Sequence, residues 1–409
     1  MQRPLRIGMI FTGDPRDPAA TSGLPYAAAR ALERRGCAIF PIETAPRAVA
    51  EPVQSRARAI LRRVVPRALL QWPARRRLAK PGCVFGPALD AAERVSAALL
   101  AERRERPIDA LFGMCTSAPL AFLDTDVPIV YASDATARVL FGTHPRYARR
   151  HHVYRGECDE CERRALRRAS YVALASKAAA LSAVSDYGID PARVDLVPVG
   201  CRIVPGADES TAIEPPSRDC LRILMVASDA ESDQIRFALR VLDETRARGI
   251  DAELVHIGPS HRSLQRPHVR SLGALRIGVG REEDRHRDAI RSAHVTMTHA
   301  RCEAFGMAAA EGALFGKPAI VSDVGGLSTL VRHDDTGVVL PSGADESSWA
   351  DAVERLVHQP ERYRRYAVAA RARAWNDFTW DRWAERVHSL IERAVSERGH
   401  QAAGLRASA

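Results

Sequence analysis

Apolar positions along the chain fall into short unbroken runs separated by longer amphipathic stretches. Residues 5–11, LRIGMIF, form the first run and predict a buried strand, turned by Gly13-Asp14-Pro15. A helix is predicted over 27–35 with Gly36 as its stop, then a strand over 37–42. The alternation continues with a helix over 90–104 and strands over 110–112 and 129–131. A helix over 157–168, a strand over 171–174, a helix over 176–187 and a strand over 194–199 follow. Residues 200–219 hold Pro205, Pro215 and Pro216 with little periodicity and read as an interdomain linker. A second series then begins: strand 222–227, helix 233–248, strand 252–257, a short strand 269–272, helix 281–293 and strand 295–298. Residues from 347 onward read as helical and contain Trp349, Trp375, Trp380 and Trp383. Strands and helices that alternate at this spacing predict parallel sheets covered by helices, an α/β class.

Length agrees with two such units, since 409 residues suffice for two separate cores. Hydrophobic residues make up 46% and charged residues 27%, a globular composition, and no apolar run approaches the roughly 20 residues that span a bilayer. The N-terminal apolar run is too short for a signal peptide, so a soluble cytoplasmic protein is expected. Lys and Arg total 60 against 50 Asp and Glu, a formal charge of +10. That excess suits anionic lipid, nucleic acid or phosphorylated substrates without choosing among them.

Chemistry concentrates in residues 302–341, CEAFGMAAAEGALFGKPAIVSDVGGLSTLVRHDDTGVVLP. Glu303 sits in a Gly-containing turn, and a helix is predicted from Gly306 to Leu314 by its Ala, Met, Glu and Leu content. Phe315-Gly316 stops the helix, and 319–321 reads as a buried strand. A helix that starts after a tight turn presents free backbone N–H groups and a positive dipole end, which suits nucleotide phosphates. Glu303 beside that end and Glu311 lower on the helix place two carboxylates where they can grip hydroxyls at two points of one ligand.

This stretch resembles the donor site of family 4 glycosyltransferases, retaining enzymes of the GT-B fold. The matching forms are Glu303-Ala-Phe-Gly306, Glu311, Gly325-Gly326 and Thr336-Gly337. The resemblance extends loosely over nearly the full chain. It implies two Rossmann-like domains facing each other across a cleft: 1–199 for the acceptor, 200–219 as linker, and 220–380 for a nucleotide-sugar donor. It further implies a last helix over about 381–398 that returns to the first domain; residues 399–409 read as a disordered tail. By resemblance, Glu303 would be the catalytic carboxylate that holds the transferred sugar. Phe305, Gly306, Met307, Ala308 and Glu311 would bind the donor, Glu311 at the ribose and the N–H groups of Met307 and Ala308 at phosphate. The nucleotide-sugar would then be a substrate, with no cofactor and no metal required, and the acceptor a saccharide or lipid-linked group of bacterial cell-surface polysaccharide or glycolipid assembly.

The first domain contributes its own candidates. Ser22-Gly23 feeds a helix N-terminus, and Asp134 and Thr136 follow the strand at 129–131, at the end where open α/β sheets bind ligands. No G-x-G-x-x-G closes the first loop, so the dinucleotide fingerprint is absent. Residues 56–80 mix nine Arg and Lys with apolar residues and Trp72, and read as a solvated helical excursion or a peripheral contact with an anionic membrane. Nucleic acid is not expected, since no recognisable nucleic-acid module is present. Cys158 and Cys161 lack a second ligand pair at zinc spacing and read as free thiols.

One departure from the family pattern matters energetically. Relatives of this kind carry an Arg and a Lys after the first strand of the second domain to neutralise the donor diphosphate. Here Ser228 and Asp233 stand in those positions, and no Arg or Lys lies between Arg222 and Arg236. Loss of one well-placed donor of this sort costs roughly 3 kcal/mol of barrier. Either another Arg reaches in, or the donor differs, or the chain is a degenerate member that binds without catalysing.

Overall fold

The computed structural model describes residues 3–11, 23–44, 80–102, 106–143, 145–206, 213–227 and 232–407. Ser22, Ser228 and all but the last residue of the basic stretch 56–80 therefore lie outside the described residues.

The apolar runs form two sheets of six strands each, ordered β2-β1-β3-β4-β5-β6 and β12-β11-β10-β7-β8-β9. The first comprises β1 (Arg6–Phe11), β2 (Ala38–Glu43), β3 (Ala110–Met114), β4 (Ile129–Ser133), β5 (Tyr171–Leu174) and β6 (Val194–Leu196). The second comprises β7 (Leu221–Val226), β8 (Ala252–Ile257), β9 (Val269–Ser271), β10 (Val295–Thr298), β11 (Ala319–Ser322) and β12 (Gly337–Leu340). Every neighbouring pair is parallel. Central strands β3, β4, β5 and β11 are buried at every position, as expected of parallel strands covered on both faces. In each sheet the strand order reverses beside the first strand (β1/β3 and β7/β10), and the crevice at the strand C-termini there is a ligand position.

Helix starts differ from the sequence expectation where local capping intervenes. The first helix spans Leu24–Arg34 rather than 27–35, because Gly23 caps it at φ 75° and Pro25 enters its first turn. The helix expected over 157–168 begins at His152, where the His151 side chain accepts from the Val153 N–H.

The chain crosses between the sheets twice. The first crossing is not a loose linker at its start: Cys201 and Ile203 are buried, and the Cys201 N–H donates to the Phe378 carbonyl at 2.8 Å. Gly200 lies against Trp380, where a Cβ would come within 2.5 Å of the indole. At the second crossing the Trp380–Ala407 helix returns to the first domain and packs on β3, β4, β5 and the Leu24–Arg34 helix. Trp383 is buried edge-on to Phe112 at 5.6 Å, and Arg34 pairs with Asp381 at 2.8 Å. This helix runs on to Ala407, into the stretch read as a tail, and residues 408–409 lie outside the described residues.

Candidate functional site

Between the two sheets lies a cavity of about 320 Å³. Its first-domain wall includes Leu24, Cys115, Ser133 and Asp134, its second-domain wall Glu303 to Met307, and Arg202 of the crossing enters from the side. The site therefore unites the ends of β3 and β4 with the stretch after β10.

The turn after β10 is held by close backbone packing. The Gly326 N–H donates to the Glu303 carbonyl at 2.9 Å. Gly325 adopts φ 53°, and a Cβ there would sit 1.9 Å from the Glu303 carbonyl oxygen. The Gly-Gly pair thus lets one turn lie directly on another, which only residues without a side chain allow. Gly306 then caps the Met307–Leu314 helix at φ 105°, packed against Leu327 and Leu330. The N–H groups of Met307 and Ala308, at the start of this helix, have no intrahelical acceptor, and Gly306 and Met307 line the cavity. Phe305 is buried edge-on to Phe378 and lines the same wall. Ala308 is half-buried and does not line the cavity.

Glu303 and Asp134 face the cavity from opposite domains. Burial raises the Glu303 carboxyl above its ordinary range, the Phe305 and Gly306 N–H groups pull against this, and the Asp134 carboxylate adds to the rise. Asp134 is likewise raised by burial, against the pull of its own and the Ala135 N–H. Beside it, Cys115 holds φ 53° with its Sγ 3.9 Å from the Asp134 carboxylate. Part of its surface meets solvent in the cleft, yet desolvation and Asp134 push its thiol up to about 12. At neutral pH it is a protonated thiol, not a nucleophile.

Besides Ala308, four of the expected site residues do not line the cavity: Thr136, Glu311, Asp233 and Gly23. Thr136 is fully buried inside the first domain, its hydroxyl 2.7 Å from that of Ser182 and accepting from the Val139 N–H, so it is not a cleft residue. Glu311 is also fully buried: its Oε1 accepts from the N–H groups of Arg202 at 3.3 Å and Ile203 at 3.2 Å. Its other oxygen lies 3.9 Å from the buried His286 ring. Here it ties the interdomain crossing to the Met307–Leu314 helix instead of opening on the cavity. Asp233 is exposed on the first turn of the Ser232–Ala247 helix, ion-paired with Arg236, and does not line the cavity. Gly23 caps the first helix, whose Leu24 reaches the cavity wall.

Arg202, Cys115 and Trp383 line the site but were not singled out from sequence. Arg202 carried one signal, a charge inside the otherwise apolar run from Val197 to Val204. Among the described residues, no group of three or more His, Cys, Asp or Glu side chains is placed to hold a metal ion. Nor is any helix there long and apolar enough to cross a membrane.

Two facing parallel α/β sheets, joined by a double crossing with the ligand crevice between them, define the GT-B fold. The sucrose-phosphate synthase of Thermosynechococcus elongatus superposes over 96% of this chain and 100% of its own with a TM-score of 0.65 at 18% identity. Anabaena HepE in complex with UDP and glucose superposes over 95% and 99% with a TM-score of 0.55 at 13% identity. Within that fold, residues 212–373, which take in the whole second sheet, match the model of the family glycosyl transferases group 1. The D-inositol 3-phosphate glycosyltransferase of Rhodococcus erythropolis is 30% identical over 233 residues, 51% of this chain and 50% of that protein. The same enzyme of Rhodococcus opacus is 31% identical over 225 residues, 49% and 48% of the two chains. The chain spans about half the length of the curated relatives it matches.

Proposed function

We propose that the protein moves a sugar from a nucleotide-sugar donor to an acceptor hydroxyl with retention of anomeric configuration. The observation that carries this reading is the interdomain cavity, where Glu303 and the capped end of the Met307–Leu314 helix meet Asp134 of the opposite domain. The diphosphate would lie at the N–H groups of Met307 and Ala308, where the helix dipole favours an anion. Glu303, held by its own turn, would accept hydrogen bonds from hydroxyls of the transferred sugar. The acceptor hydroxyl would enter from the first domain, next to Asp134. In the transfer, the bond from the anomeric carbon to the phosphate oxygen breaks while the acceptor oxygen bonds on the same face. The acceptor proton leaves with the departing phosphate. The likeness of the donor stretch to retaining family 4 enzymes supports this stereochemistry, and NMR of the product tests it: an inverted anomer contradicts retention.

The test of the donor class is thermal unfolding against UDP, GDP, ADP and dTDP, with and without common sugars. A ligand at about a hundredfold over its dissociation constant adds roughly 2.7 kcal/mol, a visible shift in melting temperature. One nucleotide is expected to shift the curve. No shift with any of them counts against a nucleotide donor.

The acceptor is proposed to be a saccharide or lipid-linked hydroxyl of cell-surface polysaccharide or glycolipid assembly, met at an anionic membrane surface through the basic stretch 56–80. Its Arg-rich composition with interleaved apolar residues supports that contact. Neutralising Arg75, Arg76 and Arg77 is expected to weaken binding to phosphatidylglycerol vesicles, and unchanged binding would remove this part of the reading.

A further inference from the structure

The diphosphate of such a donor needs positive charge, and the position after β7 that would supply it holds Ser228 and Asp233. Arg236, the next cation in the chain, is turned to Asp233 on an exposed helix face. Arg262 is exposed on a short 3₁₀ turn. Neither lines the cavity. The charged side chains that do, among the described residues, are Asp134, Glu303 and Arg202. A cavity with two carboxylates and no cation would repel a diphosphate, so the one guanidinium among them carries the charge balance.

Arg202 is also placed and held as such a role requires. Its backbone N–H and that of Ile203 donate to Glu311, five residues into the helix whose capped end opens on the cavity. The residue is thereby fixed to the same rigid element that presents the phosphate-facing N–H groups. Its side chain is 22% exposed, and its buried Nε makes an ion pair with Glu311 Oε1 at 3.5 Å without a hydrogen bond. Glu311 Oε2 and both ring nitrogens of His286, all buried in the same cluster, are likewise without hydrogen-bond partners. Buried polar groups are normally satisfied, so a cluster of unsatisfied ones packed behind Arg202 calls for an explanation, and a functional role for the cluster is one.

We infer that Arg202, from the interdomain crossing, is the catalytic cation of this chain: it binds the donor diphosphate and stabilises the negative charge that develops as the sugar leaves, in place of the absent Arg and Lys after β7. The inference rests on the nucleotide-sugar reading above. Because the cation belongs to the crossing and not to the donor domain, charge stabilisation here is tied to the geometry between the domains.

The test compares wild type with R202A and R202K by two measurements: calorimetric titration with inorganic pyrophosphate, and steady-state release of nucleoside diphosphate from the donor. R202A is expected to bind pyrophosphate at least tenfold more weakly and to lose about a hundredfold in kcat. R202K, which keeps the charge without the planar fork, is expected to recover part of both. Melting curves guard against misfolding, with the Lys variant serving if the Ala variant does not fold. Unchanged pyrophosphate affinity and kcat in R202A would overturn the inference, as would wild type failing to bind pyrophosphate. If wild type binds pyrophosphate in an Arg202-dependent way yet releases nucleotide from no sugar donor, the donor reading fails while the anion site stands.

Discussion

At the scale of single residues, the cleft is lined by carboxyls held in an unusual state, and a third lies behind them. Glu162 is buried beneath Asp134, its two oxygens each 3.3 Å from the Tyr131 hydroxyl, and burial raises its carboxyl to about 7 from the usual 4.5. The folded chain therefore holds a proton there that the unfolded chain releases. Stability from this group is complete below the unfolded value near 4.5 and is lost as pH rises through 7. Ionising it in the fold costs on the order of 3 kcal/mol. Glu162→Gln keeps the shape without the charge. Urea unfolding at pH 5 and pH 8 is expected to show the variant gaining on wild type only at the higher pH. A gap independent of pH would mean the carboxyl is not the titrating group. Side-chain roles of this kind were the least legible in the sequence. Asp134 was identified because it follows a predicted strand, but the same reasoning misplaced Thr136. Its hydroxyl is taken by Ser182, 46 residues away, and no local pattern announces such a partner.

At the scale of elements, β5, β8 and β10 fall where their apolar runs end, since a parallel strand must be buried on both faces and turn residues bound it. The helix at Met307–Leu314 was equally readable from its composition and its Gly306 and Phe315-Gly316 boundaries. What the pattern could not reveal was the direction in which Glu311 points, because that depends on where the interdomain crossing passes. The Gly-Gly turn shows the opposite case, a motif whose meaning the structure sharpens. It sits against the backbone of the Glu303 turn and has no room for a Cβ. Gly325→Ala is expected to destabilise the protein by about 2 kcal/mol or more, from left-handed strain and the clash with the Glu303 carbonyl. Gly343→Ala, where nothing lies within 4 Å, is expected to be near neutral. Equal melting temperatures for the two variants would contradict the packing argument.

At the scale of the whole molecule, two sheets built on the same parallel plan flank the cavity, and the chain stitches them together twice. The Trp380–Ala407 helix, returning to the first domain, and the Glu311-held crossing both fix one wall of the cleft against the other. The two-domain plan was visible in the repeated strand–helix alternation on either side of the proline-rich segment. The cation at the junction was not, because Arg202 acts through its place between domains and not through any local motif. In the proposed function, Glu303 and the helix behind it form a sugar-transfer site. The most direct measurement is release of nucleoside diphosphate from a panel of nucleotide sugars by wild type and Glu303→Gln. Wild type is expected to release nucleotide from at least one donor, and the variant to do so at least about a hundredfold more slowly with its melting curve little changed. Equal rates for the two proteins, or no release from any donor together with no nucleotide binding, would contradict it.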